Sequence, residues 1–558
     1  MREADAKSCH WRSIDADLTL ASPLVAGRLE SEDLMSDQRG GVLAGLGRRK
    51  SVEDLHAAHK GGELKRALGP LNLIFLGIGT IIGTGIFVLT GQAAAQYAGP
   101  GIMISFVITG ILCALVALCY AELAAAIPVS GSAYSYCYAS GGEFLAWIMG
   151  LLLLLEYGIA ASTVAVGWSG YLVSLLGDFG LGIPGEFTAG YGVPAADAIT
   201  GTPTGGVGVF NVPAALALVA VTLLLVLGVS ESAIANNIVV VVKVSVVLAF
   251  IIIGVWFVDV RHFSPLIPPQ IPPPPPGADM SMWGQIWRAL GDVFTGANNV
   301  QFGVGGIIAG AAQIFFAYLG FEAVSTAGAE SKNPKRDMPI GILGSLAICT
   351  TLYILTAGVL VGVAPYAELN NPAPIATAVD KMGLPWFAVL VKLGALCGLS
   401  SVMLVLLYGQ TRIFYTMARD GLLPGVFARV HAKYKTPWIN TVLVGLIAAA
   451  FAGVLGIGDL SNYTNLGTLA AFAIVCLTVL WLRFSHPGLD RPFRTPLFPL
   501  TPILGAAMCV LLIMSLMADA GARTFFAWYL GIGIPVYFLY GIWNSNLARR
   551  KSETGSVA

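Results

Sequence analysis

Lys243 stands in the run Ile238-Val-Val-Val-Val-Lys-Val-Ser-Val-Val-Leu-Ala-Phe-Ile-Ile-Ile-Gly254, with no other charge in it. An ammonium is costly to keep in an apolar helix, and inside a membrane such a group is functional by default. The chemistry open to it is the gain and loss of a proton, which burial of an amine brings within reach. The competing role is a structural lysine snorkelling to the nearer interface, since it lies only about eight residues into the run. Two carboxylates invite a weaker reading of the same kind. Glu156 sits near the middle of an apolar stretch, and Glu322 follows Phe315-Phe-Ala-Tyr-Leu-Gly-Phe321. Glu122 and Glu330 lie near span ends, where interfacial or paired structural charge is the simpler role. Lys392 and Arg412 are the other charged candidates in or near apolar segments.

The second chemical resource is backbone. Leu73-Ile-Phe-Leu-Gly-Ile-Gly-Thr-Ile-Ile-Gly-Thr-Gly-Ile-Phe87 and Ile314-Phe-Phe-Ala-Tyr-Leu-Gly-Phe-Glu-Ala-Val-Ser-Thr-Ala-Gly-Ala-Glu330 are apolar, yet both carry small or polar residues near their middles. Unwound backbone at membrane depth has no lipid partner, so it must line a cavity. Two such segments, each opening one half of a chain, mark a secondary transporter with inverted repeats. At the first, Ile82, Gly83, Thr84 and Gly85 offer half-helix N–H groups and a positive dipole end, which suit a carboxylate. The plainer role for these glycines is close helix packing. At the second, carbonyls of Phe316, Ala317 and Leu319 would meet an ammonium, with Phe316, Tyr318 and Phe321 as apolar walls or a gate. The plainer role there is an aromatic packing stripe. Met403 is a further candidate for the wall facing the solute side chain, although methionine is a common core filler.

The elements that must position these groups are membrane helices. Charged residues are 11% of the 558 and hydrophobic residues 56%, with a mean hydropathy of +0.77. Ordinary soluble proteins carry roughly 25% charge. No charged residue occurs from Ala67 to Ala121, a stretch able to cross a bilayer twice at about 20 residues per crossing. The expected fold is therefore an all-α integral membrane protein. About twelve spans are expected, near 71–95, 100–127, 143–176, 212–229, 235–258, 306–330, 337–364, 385–417, 437–457, 461–484, 497–518 and 524–546. Net charge is zero, so nothing argues for nucleic acid as a partner. The eight cysteines show no paired spacing and the six histidines lie outside the strongest spans. Neither a disulfide framework nor a metal centre is expected, and no cofactor.

Residues 1–64 are polar and weakly periodic. They read as a largely disordered cytoplasmic tail without a signal peptide. A transmembrane domain follows over 65–548, with a first repeat near 71–258, a second near 306–484, and helices eleven and twelve over 497–546. Residues 549–558 form a short cytoplasmic tail. Gly177–Asn211 and Asp259–Gly305 read as external linkers, the second with short surface helices and a stiff Pro272–Pro276 run. Basic residues concentrate after spans six, eight, ten and twelve and at Lys65-Arg66. This puts those loops and both termini inside, in a plasma (inner) membrane.

Four motifs in order then carry a resemblance. Gly77-Ile-Gly-Thr-Ile-Ile-Gly-Thr-Gly-Ile-Phe87 resembles the first-helix motif of the amino acid–polyamine–organocation superfamily. Phe315–Glu322 with Glu330-Ser-Lys-Asn-Pro-Lys-Arg-Asp-Met-Pro339 is similar to its cationic amino acid transporter branch. So are Gly409–Pro424 and Arg491-Pro-Phe-Arg-Thr-Pro-Leu-Phe-Pro499. The twelve expected spans match the branch's bacterial members, whereas its animal members typically have fourteen. The long tail and the proline run are not family features, so "cationic" does not assign a substrate. The resemblance implies a five-plus-five inverted-repeat (LeuT-like) architecture with helices one and six broken. It implies a carboxylate site at Gly83-Thr84-Gly85. It also implies a fifth-helix lysine, here Lys243, in the place where sodium-coupled relatives hold their ion. The function expected is an amino acid importer working by proton symport and alternating access, with amino acid, protons and the lipid bilayer as its partners. A small membrane accessory subunit is left open. The alternatives are an exchanger, a sodium symporter, or a channel, although no repeated filter is seen. No catalytic residues or phosphate-binding loop are found, so neither an enzyme nor a primary pump is expected.

Overall fold

The computed structural model describes residues 47–50, 68–129, 131–196, 203–228, 233–275, 278–295 and 300–549. The expected disordered tail falls mostly outside these residues, as does the C-terminal end after Arg549. The regular structure of the described chain is helical except for a two-stranded antiparallel ribbon, β1 Pro194–Ala196 with β2 Pro203–Val207. It contains eight segments long and apolar enough to cross a bilayer, and four shorter apolar helices.

α1 is Pro70–Ile81, and α2 is Ile102–Ala126. Between them the chain continues through π turns at Gly85–Leu89 and Ala94–Ala98. It reverses at Gly99, whose φ of +60° only glycine adopts readily. A short α3, Ser132–Ser140, leads into α4, Glu143–Leu154, which passes through a π turn into α5, Ala160–Asp178. α6 is Val212–Val226 and α7 is Ala233–Gly254. An amphipathic α8, Met282–Thr295, lies in the second long connection, in agreement with the surface helix expected there. The ribbon in the first connection carried no sequence signal. α9 is Gly303–Ile314, and α10 is Pro334–Val363. α11, Pro374–Lys381, precedes α12, Pro385–Arg419; α13 is Trp438–Val454 and α14 is Ile457–Ser485. α15, Leu500–Leu516, and α16, Ala520–Val536, complete the set.

Several starts are written locally. Proline occupies the first turn of α1, α6, α10, α11 and α12, where its missing N–H costs nothing. The Asn211 side chain accepts from Ala214 N–H at 3.1 Å and caps α6. Small residues bring α1 against α10: a Cβ at Gly77 would fall 2.5 Å from Ser345 Cβ, and one at Gly341 would fall 2.6 Å from Leu73 Cβ.

Several charges in and around the bundle are held structurally. Glu122 accepts two bonds from Arg483, at 3.0 and 2.6 Å, and one from Thr495 N–H at 2.8 Å. This clamps α2 to α14 and the following loop. Arg412, exposed on the surface, stacks on Tyr408 with 4.2 Å between guanidinium carbon and ring centroid. Lys392 Nζ donates to both oxygens of Asp178, at 2.7 and 2.6 Å, tying α12 to the end of α5. The lysine side chain is 2% exposed and the aspartate 34%. Lys392→Met therefore destabilises by about 1–2 kcal/mol, the cost of an unpaired carboxylate discounted for its contact with solvent. Thermal unfolding of the purified protein in detergent checks this, and Lys392→Met/Asp178→Asn recovers part of the loss.

Candidate substrate and coupling site

α1 ends at Ile81. Ile82 turns to an extended conformation, with ψ of 101°, and helical structure restarts beyond Gly83-Thr84. α9 ends at Ile314, tightens into a 3-10 turn over Phe315–Tyr318, and is extended at Leu319, with ψ of 137°. A second 3-10 segment runs over Glu322–Glu330. Both segments that the sequence marks as interrupted are therefore interrupted in the structure.

The two breaks meet. Thr80 Oγ1 donates to Gly320 O at 2.7 Å. Gly320 has φ of +111°, and a Cβ there would lie 2.8 Å from the Thr80 carbonyl carbon. A Cβ on Gly85 would lie 2.2 Å from Ala317 Cα. Hydroxyls from neighbouring helices hold the first break from outside. Tyr353 on α10 donates to Ile81 O, and Tyr171 on α5 donates to Phe87 O, each at 2.8 Å. Asn465 on α14 holds the second, donating to Ala312 O at 2.9 Å and Gln313 O at 3.2 Å. Thr80, Tyr171, Tyr353 and Asn465 were not among the sequence candidates. A hydroxyl or amide in an apolar span is a visible signal, but its partner is not.

Lys243 is fully buried. Its Nζ donates to Gly79 O and to Ile82 O, the latter at 3.0 Å. Both acceptors are carbonyls where α1 unwinds. Its stem packs on α12, where a Cβ at Gly398 would lie 3.3 Å from Lys243 Cβ. The side chain thus reaches the break instead of snorkelling to an interface.

The other candidates divide. Gly83 and Gly85 open a new helical segment, whose first N–H groups have no intrahelical acceptor. Val402 flanks this turn, since a Cβ on Gly83 would meet it at 3.5 Å, and the adjacent Met403 is buried. The Thr84 side chain is directed at α5, with Oγ1 3.5 Å from Val164 O. At the second break, Leu319 N–H reaches back to Phe316 O at 3.3 Å. Tyr318 is committed to packing: its hydroxyl donates to Phe106 O at 2.8 Å, and its ring meets Phe106 and Tyr353. Phe321 packs on Phe472 and Tyr120. Among the described residues Phe316 has no aromatic ring partner. Glu322 Oε2 accepts from Gly320 N–H at 2.9 Å and so closes the turn after the break. Glu156 lies beside Glu322 and Tyr120 on α4's π turn, fully buried. Neither of its carboxyl oxygens makes a hydrogen bond of good geometry among the described residues.

This arrangement combines helix-end donors without intrahelical acceptors, broken-helix carbonyls and a buried cation on one of the breaks. It can hold a small zwitterion without covalent chemistry. Known proteins are similar to this chain in sequence along most of its length. A family model described as "Amino acid permease" matches residues 68–538. A methylthioribose transporter from Bacillus subtilis is 43% identical over 499 residues, covering 89% of this chain and 98% of the relative. The branched-chain amino acid permease BcaP of the same organism is 41% identical, covering 90% and 98%. The vacuolar cationic amino acid transporter 4 of Arabidopsis thaliana is 36% identical, covering 79% and 68%. With that match running from the start of α1 to beyond α16, this multi-pass membrane chain belongs to the amino acid permease family.

Proposed function

We propose that the protein is a secondary active transporter that imports amino acids by proton symport and alternating access. The observation that carries the reading is the buried Lys243 ammonium on Gly79 O and Ile82 O. A proton carried there is felt at once by the backbone that holds the substrate carboxylate. The carboxylate sits on N–H groups at Gly83-Thr84-Gly85, and the ammonium on carbonyls near Ala317, with Phe316 and Met403 as walls. The architecture of the proposal is twelve spans in a five-plus-five inverted repeat, with the termini and the Arg483 clamp on the cytoplasmic side. Glu156 and Glu322 are secondary candidates for passing the proton onward.

Specificity is read as neutral or broad. Beside the second break Glu322 is held by Gly320 N–H, and Glu156 next to it is fully buried and assigned here to the proton path, so a cationic side chain is given no dedicated partner. The branched-chain permease among the relatives supports a neutral amino acid. The methylthioribose transporter, at similar identity, makes that uncharged thioether the necessary competitor.

The test is uptake into sodium-free proteoliposomes under an imposed inward proton gradient, with labelled alanine, isoleucine, arginine and methylthioribose. Accumulation of a neutral amino acid above equilibrium is the expected result. Uptake that required internal substrate would make the protein an exchanger, and uptake that required sodium would remove the proton from the mechanism.

A further inference from the structure

Ahead of the first helix, Gly47–Lys50 forms a short basic strap against the bundle. Arg48 donates to Ile542 O at 2.9 Å and to Ser545 Oγ at 3.3 Å, both beyond α16. The same guanidinium lies 3.9 Å from Glu143 Oε1, whose side chain is fully buried. The Arg48 carbonyl accepts Glu143 N–H at 2.7 Å and so caps the start of α4. Lys50 pairs with Asp420 at the end of α12, at 2.5 Å, and sits 4.7 Å above the Tyr138 ring of α3. Arg49 lies 5.9 Å from the Trp481 ring of α14. Three consecutive cations therefore join α3, α4, α12, α14 and the chain after α16.

The strap also reaches the broken helix. Asp420 accepts from Tyr134 of α3 at 2.9 Å, and α3 begins at Ser132, whose hydroxyl lies 2.5 Å from Ser325. Ser325 belongs to Glu322–Glu330, the half-helix after the second break, and is fully buried. In alternating access one repeat rocks or gates against the other around the site, and the half-helices of broken spans lie at that moving boundary. A chain of contacts thus runs from the strap through α3 to a moving part.

We propose that Arg48 and Lys50 form a latch that holds the Glu322–Glu330 half-helix closed on this face, and that its release sets how often the path opens. This rests on the permease reading for the meaning of that path. The anions on which the latch acts are the side chains of Glu143 and Asp420. Arg48 adds backbone contacts that an equally charged but detached peptide would not reproduce.

The test uses the full chain in inside-out vesicles, carrying Ala327→Cys, buried in the same half-helix but outside the Ser132–Ser325 contact, in a Cys9→Ser/Cys397→Ser background. The readout is the rate of labelling by a membrane-impermeant maleimide. Arg48→Gln/Lys50→Gln is expected to raise that rate about threefold or more, a shift in the open population, and Arg48→Lys/Lys50→Arg to restore it. An unchanged rate in normally inserted protein overturns the latch. So does a rise confined to vesicles rich in anionic lipid, which would mean that the cations act on the bilayer. A fall in melting temperature that the charge-retaining variant fails to correct would make the contact purely structural and overturn it too. Labelling does not depend on transport. If it responds while no solute is carried, the latch stands and the permease reading fails.

Discussion

Lys243→Gln is expected to abolish uphill accumulation while leaving a folded protein that still exchanges substrate. A glutamine amide keeps an N–H donor near Gly79 O and Ile82 O but cannot carry a proton. The variant therefore separates the hydrogen bond from the charge. Linkage between two ligands typically amounts to about 1–3 kcal/mol, or roughly 5–150-fold in affinity, and all of it disappears when one ligand loses its site. Wild-type uptake is expected to rise as the external pH falls, because the proton then drives the inward step. In the variant the same pH series is expected to be flat, with counterflow of labelled substrate retained. Lys243→Met goes further by leaving both buried carbonyls without a donor, at about 1–3 kcal/mol for each, so it should also melt earlier. A variant that kept its pH dependence would return Lys243 to a structural role.

Gly85→Ala should be a severely damaging small substitution. The added methyl would sit 2.2 Å from Ala317 Cα, and what it meets is backbone, which cannot rotate aside. Overpacking of well-packed sites typically costs about 1–3 kcal/mol, and here the shift would also push the two breaks apart. The expected result is poor recovery of folded protein, a lower melting temperature, and transport reduced by at least the factor of ten that about 1.4 kcal/mol represents. Gly83→Ala is the control two residues away. Its methyl would touch Val402 at an ordinary 3.5 Å. That variant should fold normally and change the apparent substrate affinity more than the melting temperature. Equal melting temperatures for the two variants would mean that the breaks are not in contact as described.

Much of this was written in residue types. Glycines at 77, 79, 83 and 85 and the Gly320 region placed both breaks. Uncharged stretches placed the helices to within a few residues, since lipid requires an apolar surface whatever the packing. Lys243 stood out because a lone charge in such a run has few innocent explanations. What could not be read was which groups meet across the fold. Thr80 looks like a helix threonine bonding back to Leu76 O or Gly77 O, and nothing in its own segment says that Gly320 O also comes within 2.7 Å of the hydroxyl. Tyr318 was expected near the solute, yet its hydroxyl donates to Phe106 O. The π turns at Gly85–Leu89 and Leu155–Ile159 carry no compositional mark at all. They arise from how a helix must shift to keep its neighbours, which is a tertiary property.

The contact between the two breaks also bears on leakage. Two hinges set apart in a bundle could bend one at a time, and a carrier built so would sometimes open one half-helix without the other and let ions slip through. Here the Thr80 hydroxyl bonds to Gly320 O, and Gly85 leaves no space before Ala317. The halves share one joint, so displacing either one loads the other. Such a joint favours complete strokes over partial ones, and under the proton-symport proposal the shape of two glycines would tighten the stoichiometry between solute and proton.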